Sequence, residues 1–380
     1  MNHKLIPFLY TVGLLCILSC SNGNRHETSH QGDTLAMKYA ENICIVNYDG
    51  YTRVDLKNPW RQEEILHSYI LVNRNDSTEI SDITNMNADI IYIPLGSSAV
   101  YSGVHGSIID ELGAVDCIKA VCEVEYFTNE HILTAYEKGE IVNLGNSLAP
   151  DIEALIDIHP DAILLSPFEN SGGYGLVETV GIPIVECADY METSPLGRAE
   201  WMKFYGMLYG HAKEADSLFK EVETAYNSLK AIAAAIDYRP RVISDIITGS
   251  TWYVPGGNST MGRLMADAGG NYVFATRQES GSLALAPETV FAESQDADVW
   301  FMKYSNPIAD KKLGDLSVES PLYSQMKAFR NRMVFGCNLS HVHFYNDLPY
   351  HPERHLKEMI RMFHPQALPD YQLQYYKQME

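Results

Sequence analysis

The sequence predicts an α/β protein: two Rossmann-like lobes with mostly parallel sheets, joined by one long helix. Three observations carry that expectation. Short apolar runs alternate with helical patterns over 90–185 and again over 242–335, as strands buried on both faces alternate with the helices that cover them. Between these stretches, 194–241 repeats apolar residues at three-and-four spacing, among them Trp201, Phe204, Leu208, Ala215, Phe219 and Tyr226, which makes one buried helical face. The chain has 380 residues, room for two domains with full cores.

Residues 1–19 read as a lipoprotein signal peptide. Lys4 gives a basic start, and 5–18 is an apolar run too short to span a bilayer comfortably. The run ends at Ile17-Leu18-Ser19-Cys20, similar to the bacterial lipobox, in which the signal is cleaved before a cysteine that is then diacylated. Cys20 is therefore the expected lipidation site, tying the chain to a membrane. Residues 20–36, rich in Ser, Asn, Gly and charge, read as a flexible tether. With Cys16 removed and Cys20 lipidated, Cys44, Cys117, Cys122, Cys187 and Cys337 remain, an odd, scattered set that reads as buried thiols rather than a disulfide framework. Acidic residues outnumber basic ones 49 to 28, a formal charge of -21 that repels phosphate backbones, so no nucleic-acid partner is expected.

The amino-terminal lobe is expected over 37–195. Stretches 43–46, 51–56 and 65–72 read as strands around an Asp49-Gly50 turn, a β-rich extension. The run 90–94 is a further strand; the small-residue loop Leu95-Gly96-Ser97-Ser98 and a helical pattern to Leu112 follow it, the opening of an α/β unit. Strands over 118–124, 141–144, 162–165 and 182–185 continue the alternation, with helices over 129–138, 151–158 and 176–180. Connecting helices occupy 196–240. Ser194-Pro195 supplies a capping hydroxyl before a first-turn proline, Gly206 and Gly210 divide the segment near Tyr209, and Pro240 closes it. The carboxy-terminal lobe, 241–380, resumes with strands over 242–247, 299–302 and 332–335, helices over 261–268, 287–293 and 322–329, and an amphipathic helix about 355–363.

One unit occurs in both lobes. Glu153, in the first turn of its helix, lies eight residues before Asp161, which leads into an apolar strand, and Glu288 stands in the same relation to Asp296. A glutamate there complements the helix dipole by ~0.3 to 1 kcal/mol. Matched places in two lobes point further, to a pair of equivalent surface contacts.

These junctions, the 194–241 connector and Gly256-Gly257-Asn258-Ser259 running on to Ala268-Gly269-Gly270 give the chain, over roughly 89–365, its resemblance to a family. It resembles the substrate-binding proteins of ABC importers for vitamin B12 and iron chelates. The resemblance implies a ligand held between two lobes and one glutamate per lobe docked into arginine pockets on the two permease subunits; Glu153 and Glu288 match those positions. It further implies a monomeric, lipid-anchored protein on the periplasmic side of the cell envelope. Such a protein captures a ferric siderophore, haem or cobalamin and hands it to a permease dimer with its ATPase, without an enzymatic step. The segment before Asp89 and the end after Pro365 depart from the family pattern.

Ligands of open α/β sheets lie beyond the carboxyl ends of the strands. Candidates are thus Ser97, Ser98, Tyr101, Tyr126 and Phe168 in the first lobe, and Trp252, Tyr253, Lys303 and Tyr304 in the second. Trp252-Tyr253 leads, since large flat chelates suit aromatic faces, while ordinary loop packing competes for Tyr126, Phe168 and Tyr304. Gly256-Gly257 before Ser259 reads either as an anion nest or as a plain turn.

Two alternatives stand beside the binding protein. An envelope enzyme acting on a chelate or other small molecule is one, although Gly-x-Ser-x-Gly, His-Glu-x-x-His and Gly-Lys-Ser/Thr stretches are absent from the sequence. A free zinc or manganese importer component is the other, using His341 and His343, which would share one face of a strand, with His351 and His355 nearby.

Overall fold

Three five-stranded sheets and one of three strands organise the computed structural model, which describes residues 32–61, 63–75, 86–169 and 173–380. The signal run and Cys20 lie outside the described residues. Among those described, no helix is long and apolar enough to cross a membrane.

The extension comes first. β1 (Asp33–Leu35), β2 (Ile43–Tyr48), β3 (Tyr51–Lys57) and β4 (Ile65–Asn73) form an antiparallel meander. Its Asp49-Gly50 turn places Gly50 at φ 83°, where a side chain would be strained. β1 takes 33–35 out of the expected tether. β5 (Asp89–Ile93) pairs parallel with β4, so the strand expected to open the first lobe instead completes the extension. Ile43, Ile45, Val54, Leu56, Leu71 and Ile91 are buried.

The parallel sheet of the first lobe opens later, with β6 (Ser98–Val100). It continues through α1 (Gly103–Glu111), β7 (Ile118–Val121), α2 (Glu130–Glu137), β8 (Val142–Asn143), α3 (Ile152–Ile158), β9 (Ala162–Leu165) and β10 (Ile184–Glu186). All its pairings are parallel, in the order β10-β9-β6-β7-β8. Successive residues Ala99 and Val100, and Ile163 and Leu164, are fully buried, because helices cover both faces. The stretch expected as a helix over 176–180 is a 3₁₀ segment, Gly175–Val180, between glycines at positive φ.

The connector divides at Gly210 as expected and also at Trp201, where no glycine stands, into α4 (Pro195–Glu200), α5 (Met202–Tyr209) and α6 (Ala212–Ala234). Ser194 Oγ accepts from the Gly197 amide and caps α4. Gly210 ends α5 at φ 77°, and at Gly206 a Cβ would come within 2.5 Å of the Ala215 Cβ, so only glycine lets α6 close on α5.

In the second lobe, β11 (Arg241–Ser244), β12 (Ile247–Thr248), β13 (Thr251–Pro255), α7 (Thr260–Asp267), β14 (Asn271–Tyr272), β15 (Ser282–Leu285) and α8 (Pro287–Ser294) lead to β16 (Val299–Tyr304). Then follow α9 (Leu313–Glu319), α10 (Lys327–Arg330), β17 (Val334–Asn338), α11 (Phe344–Asp347), α12 (Pro352–Phe363) and β18 (Lys377–Gln378). β14, β11, β16 and β17 are parallel, and β18 closes the edge antiparallel to β17. The strand expected over 242–247 breaks at Asp245, whose φ of 63° turns the chain, so that β12 joins β13 and β15 in a small antiparallel sheet. The tyrosine-rich end is part of the fold: buried Glu358 on α12 accepts from the amides of Gln374, Tyr375 and Tyr376 and from the Tyr371 hydroxyl.

Candidate ligand-binding cleft

Two cavities lie at the carboxyl ends of the strands, where the covering helices turn back and leave the sheet edges open. In the first lobe, a cavity of about 580 Å³ is lined by Tyr101 after β6, Leu165 and Phe168 at the end of β9, and Leu148, Ile152 and Leu176 around them. Its wall is mostly apolar with a few hydroxyls, among them Ser102, Ser147 and Ser166, and Leu148 and Leu176 are 79% and 68% exposed. In the second lobe, a cavity of about 460 Å³ is lined by Asp245 after β11, Lys303 on β16, Tyr253 on β13, and Phe344 and Tyr345 on α11. Tyr190 and Arg198, from the crossing between the lobes, complete it. The cavities adjoin there: the Tyr190 hydroxyl donates to the carbonyl of Pro167, whose neighbours Ser166 and Phe168 line the first cavity.

Charge is concentrated on the second-lobe side. Lys303 Nζ lies 2.6 Å from Asp245 Oδ1. Burial works against that ammonium, but the Asp245 carboxylate outweighs it and raises its pKa. Asp245 is held in place by its own backbone, its amide donating to Phe301 (2.9 Å) and its carbonyl accepting from Trp300 Nε1 (2.9 Å). Deeper lies Asp189, fully buried, which accepts from His105 Nε2 (3.2 Å), Tyr205 Oη (3.1 Å) and Arg198 Nε (3.1 Å). Burial alone would raise its carboxyl, yet His105 and Arg198 hold it below the usual range. His105 is likewise penalised by burial, and the Cys187 sulfur and the Asp189 carboxylate overcome this, lifting it to about 10.

Of the residues expected from sequence, Tyr101, Phe168, Tyr253 and Lys303 line the cavities, Phe168 and Tyr253 being 46% and 47% exposed. Ser97 and Ser98 do not. Because β6 begins at Ser98, they stand at the amino end of the strand: Ser98 Oγ donates to the Cys117 carbonyl and accepts from Tyr209, and the Ser97 amide donates to Asp161. Trp252 is also displaced from the cleft. Adjacent strand residues face opposite ways, so with Tyr253 outward Trp252 enters the core, its Nε1 donating to Ser244 and its ring edge-on to Tyr323 at 5.5 Å. The same alternation puts Lys303 in the cavity and Tyr304 outside it, its hydroxyl accepting from the Lys311 amide. Tyr126 is 69% exposed, on a 3₁₀ turn outside both cavities.

His341 and His343 fall beyond the end of β17 and share no strand face; His341 lies 3.2 Å from Asp310. Gly256 and Gly257 form no anion nest, since their amides donate to the carbonyls of Gly281 and Arg277. Glycine is needed there for closeness: a Cβ would lie 2.1 Å from the Glu279 carbonyl or 2.2 Å from that of Ala275. Sequence reasoning missed Tyr190, Arg198 and Asp245. Arg198 sits on a helix rather than at a strand end, and its one signal was a cation amid Leu196, Gly197, Ala199 and Trp201.

Glu153 and Glu288 occupy the first turns of α3 and α8, and both are exposed. The unit they open is repeated, though two residues out of its sequence register. Before β9, Asp161 donates its amide to the Ser97 carbonyl (3.0 Å), while its carboxylate accepts from the Ser97 amide (3.0 Å). Before β16 the same pair of bonds is made to Arg241 by Asp298 (2.7 and 2.8 Å), not by Asp296. Asp296 instead pairs with the Arg241 side chain at 2.9 Å.

The family model described as "periplasmic binding protein" matches residues 102–339. A protein of Methanocaldococcus jannaschii, named an uncharacterized lipoprotein, is 26% identical over 368 residues, 86% of each chain. Among solved structures, one named a possible iron-binding (periplasmic solute-binding) protein of Staphylococcus epidermidis superposes with a TM-score of 0.56 at 16% identity, covering 71% of this chain and 98% of the other. A periplasmic heme binding protein of Pseudomonas aeruginosa superposes with a TM-score of 0.54 at 14% identity, covering 72% and 94%.

Proposed function

We propose, because the chain belongs to the periplasmic binding protein family, that it captures a metal chelate in the cleft between its lobes and delivers it to an ABC importer. The observation that carries this reading is the pair of adjoining cavities at the carboxyl ends of two parallel sheets, one apolar and one charged, meeting at Tyr190. The cargo is a ferric siderophore, haem or cobalamin. Cys20 carries the lipid that holds a monomer at the membrane on the periplasmic side, and the exposed Glu153 and Glu288 dock on the permease dimer, whose ATPase drives release. The protein performs no catalysis in this account. Cys187, His105 and Asp189 do come together, but they are 0%, 2% and 0% exposed, and no substrate reaches them.

Residues 32–380 form one compact unit and are the species to test. Native mass spectrometry after exposure to hemin, ferric enterobactin, ferrioxamine B and cyanocobalamin is expected to show a one-to-one complex with one of them, recovered chemically unchanged. Binding of none, or turnover of any, refutes the reading.

A further inference from the structure

We infer that the cleft is built for a negatively charged chelate, whose anionic oxygen group is held on the terminal NH groups of Arg198 with Lys303 beside it. The inference deepens the proposed capture of a metal chelate and rests on it. It starts from a count of charge. The second-lobe cavity is lined by two cations, Arg198 and Lys303, and one carboxylate, Asp245, so its wall carries one excess positive charge in a chain whose formal charge is -21. Asp189 is shared: besides Arg198 Nε it accepts from His105 and Tyr205.

Geometry shows where that excess is spent. Arg198 gives only its Nε to Asp189; among the described residues its terminal nitrogens have no hydrogen-bond partner, and they belong to a side chain that lines the second-lobe cavity. A guanidinium fixed through Nε presents its outer edge as a forked donor, the geometry that suits a carboxylate, catecholate or phosphate. Asp189 acts as a positioning residue, fixing the fork through Nε without meeting the ligand. Lys303 bonds Asp245 with one of its protons and faces the same cavity. The Arg198 and Lys303 side chains are only 16% and 14% exposed, so bulk water screens them little. The apolar first-lobe cavity then takes the uncharged part of the same ligand, with Phe168 and Leu148 against it. A neutral chelate without such an oxygen group would leave the outer NH groups of Arg198 without an acceptor, and a cationic one would add repulsion.

Calorimetric titration of residues 32–380 with four probes tests this: hemin and ferric enterobactin as anions, cyanocobalamin as a neutral chelate and ferrioxamine B as a cation. At least one anionic probe is expected to bind about tenfold or more tighter than the neutral and cationic ones, with affinity falling as salt rises. Arg198→Gln should weaken the anionic probe about tenfold or more and narrow its lead over the neutral one. If the Gln variant does not fold, Arg198→Lys keeps the charge and loses the fork, and should show the same narrowing to a lesser degree. Tighter binding of cyanocobalamin or ferrioxamine B overturns the inference while the capture function stands, as does unchanged discrimination in the variants. Binding of none of the four overturns the capture function itself, and the inference with it.

Discussion

His351 joins the two lobes directly and gives a prediction with a defined pH window. It precedes α12 in the second lobe, 5% exposed, with Nε2 at 2.7 Å from Glu111 Oε2 at the end of α1 in the first lobe and Nδ1 at 3.0 Å from Glu353 Oε1. Burial disfavours the imidazolium, but the two carboxylates outweigh it and raise the group from 6.5 to about 9. The other groups packed about it do not reverse this: Arg354 is paired with Asp347, and His355, pushed down to about 3 by burial, stays neutral. A folded-state pKa above the unfolded one means the stabilisation is fully present below pH 6.5 and is lost as pH climbs through about 9. The difference in pKa, at roughly 1.4 kcal/mol per unit, corresponds to about 3 kcal/mol. For a chain of this size that is on the order of 6 °C in melting temperature. His105 titrates in the same sense, with its own upper limit at about 10, so the wild-type curve contains both groups. His351→Gln keeps a donor for one carboxylate and removes only the titration of His351. The melting temperature, followed by calorimetry from pH 6 to pH 10, should fall by several degrees more in wild type than in the variant. Parallel curves would refute the reasoning.

Three further outcomes are expected. Glu153→Ala and Glu288→Ala together should abolish importer-dependent uptake of the bound chelate and leave its affinity unchanged; a loss of affinity would remove the docking assignment. Glu200→Ala takes away the acceptor of the Lys38, Tyr39 and Ala40 amides. At about 1.5 to 3 kcal/mol for each bond to a charged group, it should cost roughly 3 kcal/mol or more in a urea melt and open 38–42 to proteolysis. Trp252→Phe, in the core against Trp300 and Tyr323, should lower stability by about 1 to 3 kcal/mol while changing chelate affinity less than twofold; a tenfold change would return Trp252 to the cleft.

Periodicity made the alternation, the connector and its break near Gly210 legible, because each follows from spacing, a cap or a glycine within a few residues. Ser97 and Ser98 were misplaced by one decision of the same local kind. The run 89–93 is as apolar as any strand of the first lobe, but it pairs with β4, and nothing within it says which sheet it joins. Giving that strand to the wrong sheet moved the expected strand end from Val100 to Pro94 and brought two amino-end serines into the cleft. Trp252 and Tyr304 failed for a different reason. A strand offers alternate residues to the core, and side-chain size alone did not say which of Trp252 and Tyr253, or of Lys303 and Tyr304, faced outward. Arg198 and Asp189 were illegible because their meaning comes from His105, more than eighty residues earlier in the chain.

Glu192 ties the extension to the crossing between the lobes and to the wall of the second-lobe cavity. Its carboxylate accepts from the amides of Glu41 (3.0 Å) and Asn42 (2.8 Å) in the extension and from Trp201 Nε1 (3.0 Å) at the head of the connector. Its carbonyl accepts from Thr260 Oγ1 (3.1 Å), which caps no helix of its own lobe and lines the second-lobe cavity. Extension, crossing and cavity wall therefore meet at one buried residue, six positions before Arg198. A wide swing of the lobes would have to break the Thr260 bond, the His351–Glu111 pair and the 2.6 Å bond from Asn346 to Thr128, each of them between lobes or at their crossing. With those contacts made together, Arg198 and Lys303 are held in place by the fold itself, and the proposed capture would depend on movement of exposed side chains such as Tyr253, Phe168 and Leu148 rather than of whole lobes.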